Sequence, residues 1–151
     1  MKLAFDTSVL VPALVKDHPF HVRALPWLEG AARDDVDAEC TWHALAESWS
    51  VLTRLPLDPP LTPQVVELSL ARVRRQVKPV EVPGDSYLKA IRRCSERGLS
   101  SGAVFDALHL VSAEERGVDA LVTFNDRDFH RLASEGSPEI LVPPDPPLFN
   151  L

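Results

Sequence analysis

Apolar residues follow two spacings along this chain. Short, mostly apolar runs at residues 3–5, 80–82, 120–124 and 140–142 have the length of strands, and the continuous ones suit burial on both faces. Between them apolar residues recur every three or four positions, as the buried stripe of a helix requires. Phe20, Ala24, Leu25, Leu28 and Ala31 form one such stripe, with Pro26 expected to bend it. Leu45, Trp49, Leu52 and Leu55 form a second, over about 42–54, ended by Pro56. Pro63 opens a third, through Val66, Leu70, Val73 and Val77 to the break at Pro79. Leu88, Ile91 and Cys94 lie on a fourth that Gly98 closes. The segment 103–113 is apolar almost all round except for Asp106, His109 and Ser112, which predicts a central, buried helix ended by Gly117. The first strand stops at Asp6, where Thr7 or Ser8 is expected to cap a helix starting near Val9. The acidic stretch 34–39 receives no element, and Asn125, Asp126 and Asp128 read in isolation as turn residues. Strands alternating with helices predict an α/β fold, its mostly parallel central sheet flanked by helices.

Composition narrows this picture. The 151 residues suit a single domain spanning 1–151, with a core over about 2–142 and a proline-rich, extended end at 143–151. Hydrophobic residues at 45% and charged residues at 25% exclude a disordered or collagen-like chain. The net charge of −6 repels polyanions on average, so a nucleic-acid partner needs local attraction. Cys40 and Cys94 lack the spacing of a metal or redox pair, which points to a reducing cytoplasm. A charge at Asp6 after three apolar residues leaves no signal peptide or membrane span at the N-terminus.

Three carboxylates stand against apolar surroundings. Asp6 ends a buried strand, Glu47 lies among Ala44, Ala46 and Val51, and Asp106 sits in the most apolar helix. Buried acids are normally paired, hydrogen-bonded or bound to metal, and local basic partners are few. In an α/β sheet the ligand crevice lies beyond the carboxyl ends of the strands, which brings Asp6 towards Asn125, Asp126 and Asp128. Two carboxylates about 5 Å apart repel by roughly 3 kcal/mol at an effective dielectric of 20. Protonation or a hard divalent cation such as Mg²⁺ or Mn²⁺ relieves such a cluster.

Four segments in order carry a resemblance: Phe5-Asp6-Thr7-Ser8-Val9-Leu10, Ala46-Glu47-Ser48, Phe105-Asp106-Ala107-Leu108-His109-Leu110, and Leu121-Val122-Thr123-Phe124-Asn125-Asp126-Arg127-Asp128-Phe129. Together they resemble a PIN domain and, within it, the VapC-type toxins of prokaryotic toxin–antitoxin pairs. The resemblance implies a three-layer fold and a Mg²⁺- or Mn²⁺-dependent ribonuclease that hydrolyses RNA with a metal-activated water. It also implies frequent homodimers and a cognate antitoxin that blocks the site. Asp6, Glu47 and Asp106 match the first three acidic positions of the family. At the fourth, Asn125 stands where many relatives carry Asp, and Asp128 is the expected source of the remaining charge. Catalysis and metal binding are thus expected from Asp6, Glu47, Asp106 and Asp128, with Thr7, Ser8, Thr123, Asn125 and Asp126 supporting them or touching substrate.

Other features have plainer readings. His109 is expected in the core, His18 and His21 lack a third ligand, and Trp27, Trp42 and Trp49 suit core or dimer contacts. The basic groups Arg72, Arg74, Arg75, Lys78, Arg92, Arg93 and Arg97 suit a solvated helix face as well as an RNA backbone. A haloacid-dehalogenase-like phosphatase needs an acid at position 8, which is Ser. A phosphoreceiver needs an acidic pair after the first strand, where Asp6 stands alone. The alternative that survives is a non-catalytic PIN-like domain that binds RNA or protein.

Overall fold

The computed structural model describes residues 1–144. Its elements run β1 (Lys2–Phe5), α1 (Thr7–Leu14), α2 (His21–Ala32), β2 (Asp37–Thr41), α3 (Trp42–Arg54), α4 (Pro63–Gln76), β3 (Lys78–Val80), α5 (Gly84–Glu96), α6 (Ala103–Glu115), β4 (Ala120–Val122), α7 (Asp126–Leu132) and β5 (Glu139–Leu141). The five strands pair in the order β3-β2-β1-β4-β5, every pair parallel.

Strand alternation sorts side chains into two layers. Leu3 and Phe5 of β1, Ala38 and Cys40 of β2, and Ala120 and Val122 of β4 join a core with Val9, Trp27 and Val73 from α1, α2 and α4. Ala4 and Leu121 point the other way, into a core with Ala90, Leu108, Val111 and Phe129 from α5, α6 and α7. Helices therefore cover both faces of the sheet, as expected for three layers. The chain builds β1, β2 and β3 towards one edge, then crosses back to place β4 and β5 on the other side of β1. This reversal beside β1 opens a crevice at the carboxyl ends of β1 and β4.

Several expectations need correction. β2 lies in what reads as an acidic loop: Ala38 and Cys40 face one layer, while Glu39 is buried facing the other, paired with Arg116 and Lys2. Asp126 and Asp128 are not turn residues but form the first turn of α7, where acids complement the helix dipole. Helix α1 begins at Thr7, two residues earlier than expected. Its N-cap position is Asp6, whose side chain makes no capping hydrogen bond. Strand β3 sits two residues before the 80–82 run. Trp27 is buried in the core, whereas Trp42 and Trp49 are exposed. Most of the proline-rich end, residues 145–151, lies outside the described residues.

Candidate active site

The turn from β1 into α1 sets the first carboxylate. Asp6 is buried, and both of its oxygens receive hydroxyl protons: Ser8 Oγ donates to Oδ1 at 2.7 Å and Thr123 Oγ1 to Oδ2 at 2.9 Å. Each hydroxyl has only one proton to give, so the 3.1 Å approach between them is proximity rather than a further bond. Both oxygens also accept backbone donors, Ser8 Oγ from Phe124 N–H and Thr123 Oγ1 from Asn125 N–H, each at 2.8 Å. The segment after β4 is thereby stitched to the turn after β1. No cation takes part. Burial pushes the Asp6 carboxyl above its usual range, against the two hydroxyl bonds that favour the charged form.

Asp106 approaches from the first turn of α6, where Asn125 Nδ2 donates to its Oδ2 at 3.2 Å. Its carboxyl is pushed up to about 6, chiefly by burial and then by the charge of Asp6, with Asp128 and Glu47 adding in the same sense. Repulsion between the carboxylates is thus felt across the site. Glu47, half-buried on α3, is steadied differently. His109 Nε2 lies 2.8 Å from Glu47 Oε1, and His43 Nε2, one turn away on α3, stands 3.1 Å from the same oxygen. Thr41 at the end of β2 organises this side, because its Oγ1 accepts Ala44 N–H to cap α3 and lies 3.0 Å from His109 Nδ1. His109 therefore stands between Thr41 and Glu47, with one ring nitrogen facing each. Burial lowers the pKa of His43 despite the nearby Glu47 charge.

Asp6, Glu47 and Asp106 line one cleft of about 440 Å³ with Thr7, Ser8, Phe124 and Asn125, and no lysine or arginine is among the lining residues. The Thr7 hydroxyl oxygen at its wall is buried without a hydrogen-bond partner. Of the expected residues, Thr123 lies just behind the cleft, bonded to Asp6. Asp128 does not join them there. It lines a neighbouring depression on the other side of Asp106 and lies 3.8 Å from Arg131. Asp126 lines neither depression. The residue reaching Asp106 from this segment is Asn125.

The sequence places His43 at i−4 to Glu47, the helical spacing of a contact, and the contact is present; Thr41 and Phe20 it does not place at this site. Thr41 depends on β2, which the acidic stretch conceals.

These carboxylates suit a hard divalent cation in kind: acidic oxygens with no lysine or arginine in the cleft lining, of which Asp6 and Glu47 raise the pKa of Asp106, together with an orphaned hydroxyl. Among the described residues no three such donors already stand at coordination spacing.

The chain matches the PIN domain over residues 3–135. It is 36% identical over 113 residues to ribonuclease VapC27 of Mycobacterium tuberculosis, covering 75% of this chain and 77% of that protein. Among solved structures it is similar to M. tuberculosis VapC20, a sarcin-ricin loop cleaving toxin, with a TM-score of 0.67 and 17% identity over 90% of this chain and 99% of that one. It is also similar to VapBC2 from Rickettsia felis, solved bound to a DNA fragment from its promoter, with a TM-score of 0.64 and 18% identity over 94% and 97% of the two chains. With the order of its acidic motifs, its parallel sheet and this agreement along most of its length, the chain belongs to the PIN-domain family, beside the VapC ribonucleases.

Proposed function

We propose that this protein is a divalent-metal-dependent endoribonuclease, the toxin of a toxin–antitoxin pair. One observation carries the reading. Asp6 and Asp106 share a cleft whose lining holds no lysine or arginine and only His18, its pKa lowered by burial, as an imidazole, and the charge of Asp6 raises the pKa of Asp106. A structural role calls for the opposite, an acid beside its own cation.

Asp6, Asp106 and Glu47 are the residues we assign to hold Mg²⁺ or Mn²⁺, with Asn125 offering a carbonyl oxygen and Asp128 held in reserve beside Asp106. Bound there, the ion supplies Lewis acidity at a phosphodiester and activates water. The protein's own groups do the rest. Ser8 and Thr123 hold Asp6 in one orientation, because losing either bond frees an oxygen to rotate. His109 aims Glu47 into the cleft through its hydrogen bond, with His43 packed beside the same oxygen, and Asn125 sets the rotamer of Asp106. Orientation of this kind is what second contacts around ligand carboxylates contribute. Water attacking phosphorus with the P–O3′ bond breaking, in place of attack by the RNA's own 2′-hydroxyl, leaves a 5′-phosphate and a 3′-hydroxyl.

Purified protein incubated with RNA in Mg²⁺, and separately with chelator, tests the reading. The expected result is cleavage that chelator abolishes, with 5′-phosphate ends. A 2′,3′-cyclic phosphate at the cut, or cleavage indifferent to chelator, contradicts it. Toxicity on expression, relieved by co-expressing the adjacent reading frame, is the expected biological counterpart and identifies the antitoxin. Among the described residues no helix is long and apolar enough to cross a membrane.

A further inference from the structure

One feature of the cleft takes no part in holding the carboxylates. Phe20, just before α2, and Phe124, just after β4, stack face to face with ring centroids 4.5 Å apart and planes 11° from parallel. Both line the same cleft as Asp6 and Asp106. Phe20 keeps 38% of its surface exposed, unusual for a phenylalanine already paired with a second ring. The pair is held firmly. The Arg23 guanidinium carbon lies 5.4 Å from the centre of one ring and 5.1 Å from the other, and Nε and Nη2 both donate to the Pro143 carbonyl. Beneath Phe20, its N–H donates to His18 Nδ1 at 3.0 Å.

The covalent placement of Phe124 fixes the distance from ring to carboxylates. Thr123 binds Asp6, Phe124 stacks on Phe20, and Asn125 binds Asp106. Three consecutive residues thus join the aromatic pair to both acids, so a ligand on the exposed ring sits beside whatever the acids act on.

A polyanion has little to hold here electrostatically. The chain carries a charge of −6, the cleft is lined by acids, and Arg23 is committed to the rings and to Pro143. Stacking on an aromatic face does not depend on charge, and every nucleobase offers a π-face. Resting on the ribonuclease reading above, we propose that Phe20, backed by Phe124 and braced by Arg23, is a stacking subsite for the base of an unpaired RNA nucleotide next to the scissile phosphate. The subsite selects single-stranded or flipped-out nucleotides, since a base within a duplex cannot present its face.

The test compares wild type with Phe20→Leu, which keeps apolar contact with Phe124, and Phe20→Trp, which keeps an aromatic face. A labelled single-stranded oligoribonucleotide of about ten nucleotides is titrated by fluorescence anisotropy in the presence of chelator, with its integrity checked on a gel, so that binding is read without cleavage. Matched oligonucleotides carry an abasic nucleotide at each position in turn. The expected result is a roughly 5- to 100-fold loss of affinity for Phe20→Leu, recovery to within about threefold for Phe20→Trp, and one abasic position at which the difference between wild type and Phe20→Leu disappears. In cleavage assays the loss should fall on KM more than on kcat. Unchanged affinity in Phe20→Leu with an unchanged melting temperature overturns the subsite, as does an equal abasic penalty in both proteins at every position. Loss of binding to the purified antitoxin with RNA binding intact also overturns it, in favour of a protein ligand. A wild type that binds RNA through Phe20 but does not cut it overturns the nuclease reading and leaves the subsite standing.

Discussion

Asp6, just after β1, and Glu39, on the neighbouring strand β2, are each 3% exposed, and their surroundings could hardly differ more. Glu39 receives two hydrogen bonds from the Arg116 guanidinium, at 2.6 and 3.0 Å, with Lys2 Nζ 3.4 Å away. Asp6 receives two hydroxyl bonds and no bond from a lysine or arginine among the described residues. Burial alone therefore says little about function, because the fold buries one acid as part of its scaffold and another at its cleft. What separates them is whether the protein itself supplies the counter-charge. Helix α6 serves both, with Asp106 in its first turn facing Asp6 and Arg116 at its C-cap on Glu39.

The sharpest way to break this comparison is to neutralise one acid at each place. Asp106→Asn should lower the rate of RNA cleavage by 10³-fold or more, on the order of 4 kcal/mol of transition-state stabilisation. The apo protein should melt no lower, since the substitution removes repulsion. A large drop in melting temperature would put Asp106 in the class of Glu39. The converse variant, Arg116→Met, should destabilise the fold by about 2 to 4 kcal/mol in denaturant titration, because it strands a buried carboxylate with only Lys2 beside it. Cleavage per folded molecule should hardly change.

How much of this was legible follows the same division. Helices α3, α4, α5 and α6 and strands β1 and β4 were readable because apolar spacing alone defines them. Strand β2 was hidden because its inward face uses Glu39, a residue that reads as solvated until Arg116, 77 positions away, is seen to neutralise it. Helix α7 was hidden because it is short and opens with Asn125 and Asp126, residues equally at home in a turn. At the site, Asp6, Glu47 and Asp106 were legible as acids in apolar settings. The places of Asn125 and Asp128 were not, since which of two nearby polar side chains reaches Asp106 depends on where α7 begins. The bond from Thr123 to Asp6, 117 positions apart, needed the β1–β4 pairing, which no local pattern reveals.

Smaller effects sharpen the account. Ser8→Ala removes one of the two donors on Asp6 and the acceptor of Phe124 N–H. It should cost about 1 to 2 kcal/mol of stability and lower cleavage by roughly 10-fold, the low end of the range for a residue that orients a ligand. The pH dependence of the apo protein tests the Asp106 environment. Its folded pKa of about 6 lies above the unfolded value near 3.8, so the folded state holds the proton more tightly. The penalty is therefore full above about pH 6 and is relieved as pH falls from there towards 4. Asp106→Asn should then exceed wild type in stability by on the order of 1 kcal/mol at pH 7.5, allowing for solvent screening at this partly open position. The advantage should vanish by about pH 4 in paired thermal melts. A constant difference across that range would show that the Asp106 charge is not what strains the apo site.

The central claim is that the cleft acids lack an internal counter-charge and take one from solution. Calorimetric titration of Mn²⁺ into wild type, Asp6→Asn and Glu39→Gln tests it most directly. Saturable binding in wild type and Glu39→Gln, lost or much weakened in Asp6→Asn, is the predicted result; no binding at millimolar Mn²⁺, or equal binding in all three proteins, would contradict it.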